Sequence, residues 1–385
     1  MNTAINSNAF NSNVAIARLI TNRRDATANP LYNTVRCTFD EKNMLVESNN
    51  INSSIRIAIP AEELGMVTTE GGSVLLTEVV CNWLSRVAEE LSIVSEESVI
   101  SMKSGADHFD FNMKSQDYQN NIFRELRSPS SSCLNFEVPA EQFLSALRFC
   151  TSNAYPDSHN TSGIAFSAKN NVLTVYSYGV GGTKCCAVKL ALDKNVSFNK
   201  VADAASLNKI CRGLSSYVST HNIADIQVFV DDKGMWFETG GIRVYTQYTQ
   251  IQLLDWEIVE NKFTWGNSVE ISQNSLSRAV GNINSVAEKQ NGVLKLFFDE
   301  NSVKLYSPAI EENEVDSVVP FFIGTSLQNK IVKAVSRDSF VELVGSFPAS
   351  NSNVTIRFEQ NETGATPLCI EYGPMKSILM SRVTC

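Results

Sequence analysis

The stretch AASLNKICRGLSSYV, Ala204–Val218, most constrains what this chain can become. Leu207, Ile210, Cys211, Leu214 and Val218 recur at i, i+3, i+4, i+7 and i+11, the spacing of one buried stripe on an α-helix. Lys209, Arg212 and Ser216 fall on the opposite face, so the helix buries one side and offers a mildly basic one. Nearly the same stripe stands about 130 residues earlier, in Leu76, Val79, Val80, Trp83, Leu84, Val87 and Leu91. It returns about 130 residues later in Phe340, Leu343, Val344 and Phe347. Three evenly spaced copies predict one unit repeated three times.

The segments between the stripes repeat as well. In the first third, a helix at Ala9–Ile20 precedes strands at Tyr32–Phe39, Met44–Ser48 and Ile55–Ile59. The helix Leu76–Leu91 and strands Val99–Lys103 and Phe109–Met113 follow, before the polar linker Arg127–Cys133. The second third offers a short strand Leu134–Val138 and a helix Ala140–Ala154, then strands at Gly163–Ser167, Val172–Ser177 and Lys184–Leu190. After Ala204–Val218 come Asp225–Val230, Gly234–Glu238 and Ile242–Gln247, with Asp231–Gly234 as a hairpin turn. The last third runs Val269–Ile271, a helix Gln273–Ala287, strands Val293–Phe298, Val303–Ser307 and Val315–Phe322, and a helix Arg337–Phe347. Strands Val354–Phe358, Leu368–Glu371 and Ser377–Ser381 close it. Helix, three strands, helix and about three strands per unit give an α+β class of antiparallel sheets covered on one face by helices. The expected units are 1-130, 131-262 and 263-385.

Composition narrows the function. With 43% apolar and 19% charged residues the 385-residue chain reads as globular, and its longest apolar runs, such as Val318–Ile323, are too short to cross a bilayer. The opening MNTAINSNAFNSN carries no secretory pattern, so a cytoplasmic protein is expected. Nine cysteines without a C-x-x-C pattern fit reduced, core-filling thiols and give zinc no ligand spacing. A net charge of −9 opposes a surface that grips nucleic acid everywhere, while leaving room for one basic face on an acidic body.

Catalytic constellations are missing from the pattern. His108, His159 and His221 sit in unrelated segments, with no nucleophile or metal-ligand spacing around them. GVGGTK at Gly179–Lys184 lacks the order of a phosphate loop and lies between two strands. Glu311–Glu312–Asn313–Glu314 reads as a solvated loop, and neither a G-x-S-x-G nor an H-E-x-x-H occurs. No enzyme, cofactor or metal is expected.

On ICRGL at Ile210–Leu214, LTVYSYG…TKCCAV between Leu173 and Val188, and SFVELVGSF…VTIRF…CIEYG…SILMSR at the end, the chain resembles the bacterial sliding clamp, the β subunit of DNA polymerase III. The resemblance spans essentially the whole length and is weak in any one place. It implies three tandem units per chain, two chains joined head to tail into a homodimeric ring, and helices facing a hole that holds double-stranded DNA. A sliding ring attracts the phosphate backbone without reading bases. The resemblance assigns that task to Arg18, Arg23, Arg24, Arg86, Arg148, Lys209, Arg212, Arg278, Lys333 and Arg337, although helices also carry Lys and Arg simply on solvated sides.

The resemblance also implies that DNA polymerase and clamp loader dock short linear peptides in a pocket between the second and third units. Matching positions are Leu173, Ser177, Gly179, Val188, Leu254, Val259, Phe340, Ile378, Leu379, Met380 and Arg382; ordinary core packing is the other reading of these residues. The ring's seam is expected to set Phe109 and Phe111 of one chain against Ile283 and Val286 of another, on an edge strand that a second chain completes; packing against their own core is the other reading of these residues. The loop Tyr178–Lys184 and the ending Met380–Cys385 depart from the family's sequences there, as in a divergent member of the kind phages and mobile elements carry. The alternative is a non-catalytic structural or assembly protein of repeated α+β units, which needs neither a cationic inner face nor a peptide pocket.

Overall fold

The computed structural model describes residues 1–21, 27, 29–87, 90–96, 98–112, 129–154, 162–179, 182–286, 292–308, 314–322, 326–359 and 366–381. The first third supplies β1 (Asn2–Asn6), α1 (Ser7–Arg18), β2 (Val35–Phe39), β3 (Asn43–Asn49), β4 (Ser53–Pro60), β5 (Val67–Glu70), β6 (Gly72–Leu76), α2 (Glu78–Leu84), β7 (Glu90–Glu96), β8 (Val99–Ser104) and β9 (Asp107–Asn112). The second supplies β10 (Leu134–Pro139), α3 (Ala140–Asn153), β11 (Gly163–Lys169), β12 (Val172–Tyr178), β13 (Lys184–Ala191), β14 (Phe198–Asp203), α4 (Ala204–His221), β15 (Asp225–Val230), β16 (Gly234–Thr239), β17 (Ile242–Gln247) and the short α5 (Trp256–Glu260). The third supplies β18 (Asn267–Ser272), α6 (Gln273–Val286), β19 (Val293–Phe298), β20 (Ser302–Pro308), β21 (Glu314–Pro320), β22 (Ile331–Ser336), α7 (Arg337–Ser346), β23 (Asn353–Phe358), β24 (Leu368–Tyr372) and β25 (Met375–Leu379). Strand, helix, four strands, helix, three strands thus recurs, with β5 as an extra strand in the first third.

Strands from different thirds share sheets. One compact unit, Met1–Leu144 with Ser206–Tyr248, holds the eight-stranded sheet β10-β15-β16-β17-β4-β3-β2-β6 and the five-stranded sheet β5-β1-β7-β8-β9. The other, Ser145–Ala205 with Thr249–Cys385, holds the eight-stranded sheet β14-β11-β12-β13-β25-β24-β23-β18 and the four-stranded sheet β21-β20-β19-β22. Compactness therefore follows the shared sheets, and the division runs through α3 and the first turn of α4. All pairings are antiparallel, and each eight-stranded sheet joins a strand of one third to the last strand of the next, β4 to β17 and β13 to β25.

Strand alternation builds the cores. In β2, Val35, Cys37 and Phe39 are buried while Arg36 and Thr38 are half-buried on the other face. Phe10 of α1 packs on Phe39 at 6.1 Å between ring centroids, and Phe143 of α3 on Phe237 of β16 at 5.5 Å. In the other unit Phe149 stacks on Phe347 at 5.9 Å and Phe298 meets Phe358 at 4.5 Å. The turn at Asp231 forms as expected, its carboxylate accepting the backbone N–H groups of Lys233 at 2.7 Å and Gly234 at 2.8 Å.

The expected helix Leu76–Leu91 is shorter than its apolar pattern. The helix α2 ends at Leu84, and Leu91 belongs to β7, paired opposite Ile5 of β1. Apolar residues that fit a 3.6-residue period also fit alternation, and the N-terminal strand decides between them. That strand, NTAIN, buries only Thr3 and Ile5 and carries no strand signal of its own. The strands β5, β6, β14 and β22 and the helix α5 likewise stood outside the expected elements.

Candidate functional site

The outer face of the sheet β11-β12-β13-β25-β24 carries an apolar trough. Pairing sets Tyr178 opposite Cys185, Cys185 opposite Ile378 and Ile378 opposite Cys369, so these four form one row. Tyr176 and Ala187 belong to the neighbouring row on the same face. Trp256 and Val259 of α5 bury against these rows, and Tyr178, Leu253, Phe263, Trp265 and Met380 remain half-buried around them. Leu254 and Ile258 stand exposed on the covering segment. Phe263 and Trp265 pack ring to ring at 5.7 Å.

Local chemistry fixes the segment that crosses this face. Asp255 caps α5, its carboxylate accepting Glu257 N–H at 3.0 Å, and Tyr178 Oη donates to the Leu254 carbonyl at 2.8 Å. Glu260 gathers three donors: Lys189 Nζ at 2.6 Å, Lys376 Nζ at 3.1 Å and Trp256 Nε1 at 3.1 Å. Partial burial works to raise the Glu260 pKa, yet the hydrogen bonds from Lys189 and Lys376 outweigh it and hold the carboxyl below its ordinary value. Burial pushes the Cys185 thiol up to about 12, so at neutral pH it is a small apolar wall rather than a nucleophile.

The expected pocket residues divide between two faces. Val259, Ile378, Met380 and Leu254 lie in or beside the trough. Leu173, Ser177, Val188 and Leu379 alternate onto the opposite face, under the helices, where Ser177 Oγ donates to the Cys150 carbonyl of α3 at 2.9 Å. Phe340 is fully buried in α7. Gly179 closes the β12–β13 hairpin against Lys184; a Cβ there would meet Lys184 Cγ at 2.5 Å, so glycine is required by space. Arg382 lies outside the described residues. Tyr178 and Trp256 fall inside the expected segments Ser177–Gly179 and Leu254–Val259 without being singled out, and Tyr176, Cys185, Phe263 and Trp265 went unnoticed, although alternation along LTVYSY and KCCAV separates Tyr176, Tyr178 and Cys185 from Leu173 and Val188.

The expected cations are as divided. Arg148 of α3, Arg212 of α4 and Arg278 of α6 are exposed on helices, and Arg86 is exposed in the turn after α2. Arg18 ends α1 and meets Glu78 at 3.4 Å, while Lys209 Nζ donates to the Thr21 carbonyl at 3.0 Å. Lys333 belongs to β22 and not to a helix, and its buried ammonium donates to Thr366 Oγ1. Arg337 is buried at the start of α7 beside Asp338 at 3.2 Å. A side chain already held by its own protein offers little to a distant phosphate, so these two correct the expectation of a solvated cation. Arg23 and Arg24 lie outside the described residues.

The expected seam residues differ in exposure. Phe109 and Phe111 are half-buried on β9, with Phe109 against Trp83 at 5.7 Å and Phe111 at 6.1 Å. They line a cleft of about 560 Å³ with Pro30, Leu31, Leu75 and Val79. Ile283 is a core residue of α6, whereas Val286 is exposed at its end. Among the described residues no group of His, Cys, Asp or Glu could hold a metal, and no helix is long and apolar enough to cross a membrane.

No family model and no curated protein matches this chain. Solved structures do, with full coverage of both chains. The DNA polymerase sliding clamp from Bacillus subtilis superposes with a TM-score of 0.83 at 13% identity. The β subunit of the DNA polymerase of Streptococcus pyogenes gives 0.82 at 16%. The Helicobacter pylori β clamp bound to a DNA ligase peptide gives 0.79 at 12%. The chain has the β-clamp fold.

Proposed function

We propose that this chain is a sliding clamp: a non-catalytic processivity factor of DNA replication that closes around duplex DNA as a head-to-tail homodimer and tethers polymerase and other partners. The observation that carries the reading is a pair of sheet edges that no described strand covers. The half-sheet β22-β19-β20-β21 repeats the order of β6-β2-β3-β4 and of β14-β11-β12-β13. The half-sheet β9-β8-β7-β1 repeats the order of β17-β16-β15-β10 and of β25-β24-β23-β18. Inside the chain β4 finds β17 and β13 finds β25, whereas β21 and β9 end their sheets. Each chain thus offers one edge of each kind, the arrangement that joins copies head to tail and, when the rotation closes, makes a ring. Three tandem units, 1-130, 131-262 and 263-385, then give six around a two-chain ring.

Topological enclosure asks little of each DNA contact. The exposed cations Arg148, Arg212 and Arg278 attract phosphate, and the net charge of −9 keeps the rest of the body from gripping it. The half-buried rim of this trough takes a linear peptide by its hydrophobic side chains, with Met380 from the expected set and Tyr178, Phe263 and Trp265 beside it, while Val259 and Ile378 form the buried floor beneath α5. The H. pylori clamp carries a ligase peptide, which supports such a use of this fold. Sedimentation equilibrium tests the assembly: a mass of twice the chain at micromolar concentration is expected, and a monomer throughout overturns the ring.

A further inference from the structure

The β4–β17 and β13–β25 junctions carry corresponding pairs of outward rows. A fully buried serine before each hairpin aligns the thirds, with Ser48 opposite Ile55, Ser177 opposite Cys186 and Ser307 opposite Val315. At the trough the first row is Tyr178, Cys185, Ile378 and Cys369, and the second is Tyr176, Ala187, Lys376 and Glu371. Counted from Ser48, the corresponding rows are Asn49, Ser54, Tyr245 and Trp236, then Glu47, Arg56, Arg243 and Glu238. What differs is the cover. At β13–β25, α5 buries Trp256 and Val259 against the face, and Glu260, one helical turn after Trp256, reaches Lys376 at 3.1 Å and Lys189 at 2.6 Å. Among the described residues no helix stands between β9 and β10, the place of α5 in the repeat. A cleft of about 710 Å³ borders Arg56, Arg243 and Glu238, and one of about 240 Å³ borders Asn49, Ser54, Tyr245 and Trp236.

We propose that the outer face of β4–β17 is a second docking site, which takes an acidic amphipathic segment of a partner protein. An aromatic or branched side chain of that segment sits on Tyr245, and a carboxylate one helical turn later sits between Arg56 and Arg243. The site uses other strands than the trough and stands whether or not chains close into a ring. Charge points to the carboxylate. Arg56 and Arg243 are directly opposite one another, where like charges oppose pairing. Arg243 Nε is held by Glu238, and the buried Glu47 is taken by Arg36, whose Nε donates to it at 2.9 Å. Among the described residues Arg56 keeps only an ion pair with Glu47 at 3.9 Å, beyond hydrogen-bond reach, and 42% of its side chain is exposed. The cleft's other carboxylate, Asp225, belongs to β15, two strands from Arg243. A guanidinium with donors to spare, beside a second guanidinium, suits two-pronged capture of a carboxylate.

The neighbouring row supplies the apolar half. Trp236 packs on the half-buried Tyr245 at 4.8 Å between centroids, and both rings line the smaller cleft together with the exposed Ile51. Asn49, 8% exposed, lines it too, and its carboxamide oxygen has no hydrogen-bond partner among the described residues. A main-chain N–H of the docked segment satisfies that acceptor. Phosphate is the other anion that two arginines hold. Glu47, Glu238, Asp225 and Asp231 around the rows repel a polyanion, so a single carboxylate on an apolar segment is the better match. Lys376 shows the pattern completed, held both by Glu371 of its own sheet and by Glu260 of the covering helix.

Anisotropy titration of the full chain with a labelled synthetic peptide of the α5 segment, Gln252–Lys262, tests the site. That sequence already carries the aromatic residue and the carboxylate at the required spacing. Binding at about 100 µM or tighter is expected. Arg56→Glu is expected to weaken it about tenfold and the milder Arg56→Ala about threefold, in chains whose melts match the wild type. A peptide carrying Glu260→Lys is expected to recover affinity for the Arg56→Glu chain, a reversal that general loss of structure cannot produce. Tyr245→Ala is expected to weaken both peptides. Met380→Ala is expected to leave this peptide unchanged, and Arg56→Glu to leave a peptide of two hydrophobic anchors without a carboxylate unchanged, so the two sites succeed or fail separately. Three results overturn the proposal: binding that Arg56→Glu does not weaken, no binding to the wild-type chain at millimolar peptide, or displacement of the peptide by an equal concentration of single-stranded oligonucleotide.

Discussion

Lys184 places its ammonium 2.6 Å from a carboxylate oxygen of Glu342 although only 2% of its side chain is exposed, while that of Glu342 is 57% exposed. Asn153 Oδ1 accepts a second hydrogen bond from the same ammonium at 3.1 Å, and its own amide reaches Ser346 Oγ at 2.8 Å. The pair therefore ties the β12–β13 hairpin to the end of α3 and to α7, and its two members are not equivalent. Glu342→Ala leaves a buried ammonium short of a partner and is expected to destabilise by about 1–2 kcal/mol, discounted for the exposed carboxylate. Lys184→Met removes the buried charge and keeps the volume, so it is expected to be nearly neutral. Chemical denaturation of both variants checks the order.

Ser48, Ser177 and Ser307 occupy one place in the three thirds and differ in their bonds. Ser177 Oγ donates to the Cys150 carbonyl, whereas Ser48 Oγ and Ser307 Oγ are buried without a hydrogen-bond partner among the described residues. Ser177→Ala is expected to cost about 1 kcal/mol, and Ser48→Ala or Ser307→Ala to be neutral or slightly stabilising. Thermal melts of the three variants compare them within one protein.

Glu260 gives the covering segment a pH dependence. Its pKa is lowered in the folded chain from 4.5, so its contribution is fully present above the unfolded value and is lost as pH falls through the folded one. Trp256 shares this carboxylate and reports on it. Between pH 7 and 3 the wild-type melting temperature is expected to fall more steeply than that of Glu260→Gln, with a loss of blue-shifted tryptophan emission below pH 4.5 that is absent from Trp256→Phe. Parallel pH profiles of the two proteins would contradict this role.

The trough predicts where peptide affinity resides. Met380→Ala and Phe263→Ala are each expected to weaken a fluorescent peptide with two hydrophobic anchors about tenfold, or about 1.4 kcal/mol, leaving the dimer intact. Leu173→Val and Val188→Ala, beneath the helices, should cost stability rather than affinity. Anisotropy titrations and melts on the same variants separate the two effects.

Much of this was legible in the chain. The stripe in Ala204–Val218 forms α4, and the recurrence of helices and strands follows directly from alternating and 3.6-residue periods. Sheet membership was not, because β4 joins β17 through main-chain groups that leave no mark on side-chain type. The trough was half legible for a similar reason. Val259, Ile378 and Met380 stand out as apolar residues near a distinctive segment, but Leu173 and Val188 are equally apolar and only strand parity assigns them to the other face. Lys333 and Arg337 show the limit for charge: a cation's letter is the same on a solvated helix and inside a core.

The measurement that tests the central claim most directly is retention on DNA of two topologies. The protein is loaded onto nicked circular duplex with a clamp loader, washed at moderate salt, and the circle is then cut once. A ring held by enclosure is expected to stay on the intact circle and leave after cutting, with little change when Arg148, Arg212 or Arg278 is singly replaced by alanine. Equal retention on circular and linear DNA, weakening with each lost cation, would contradict the account.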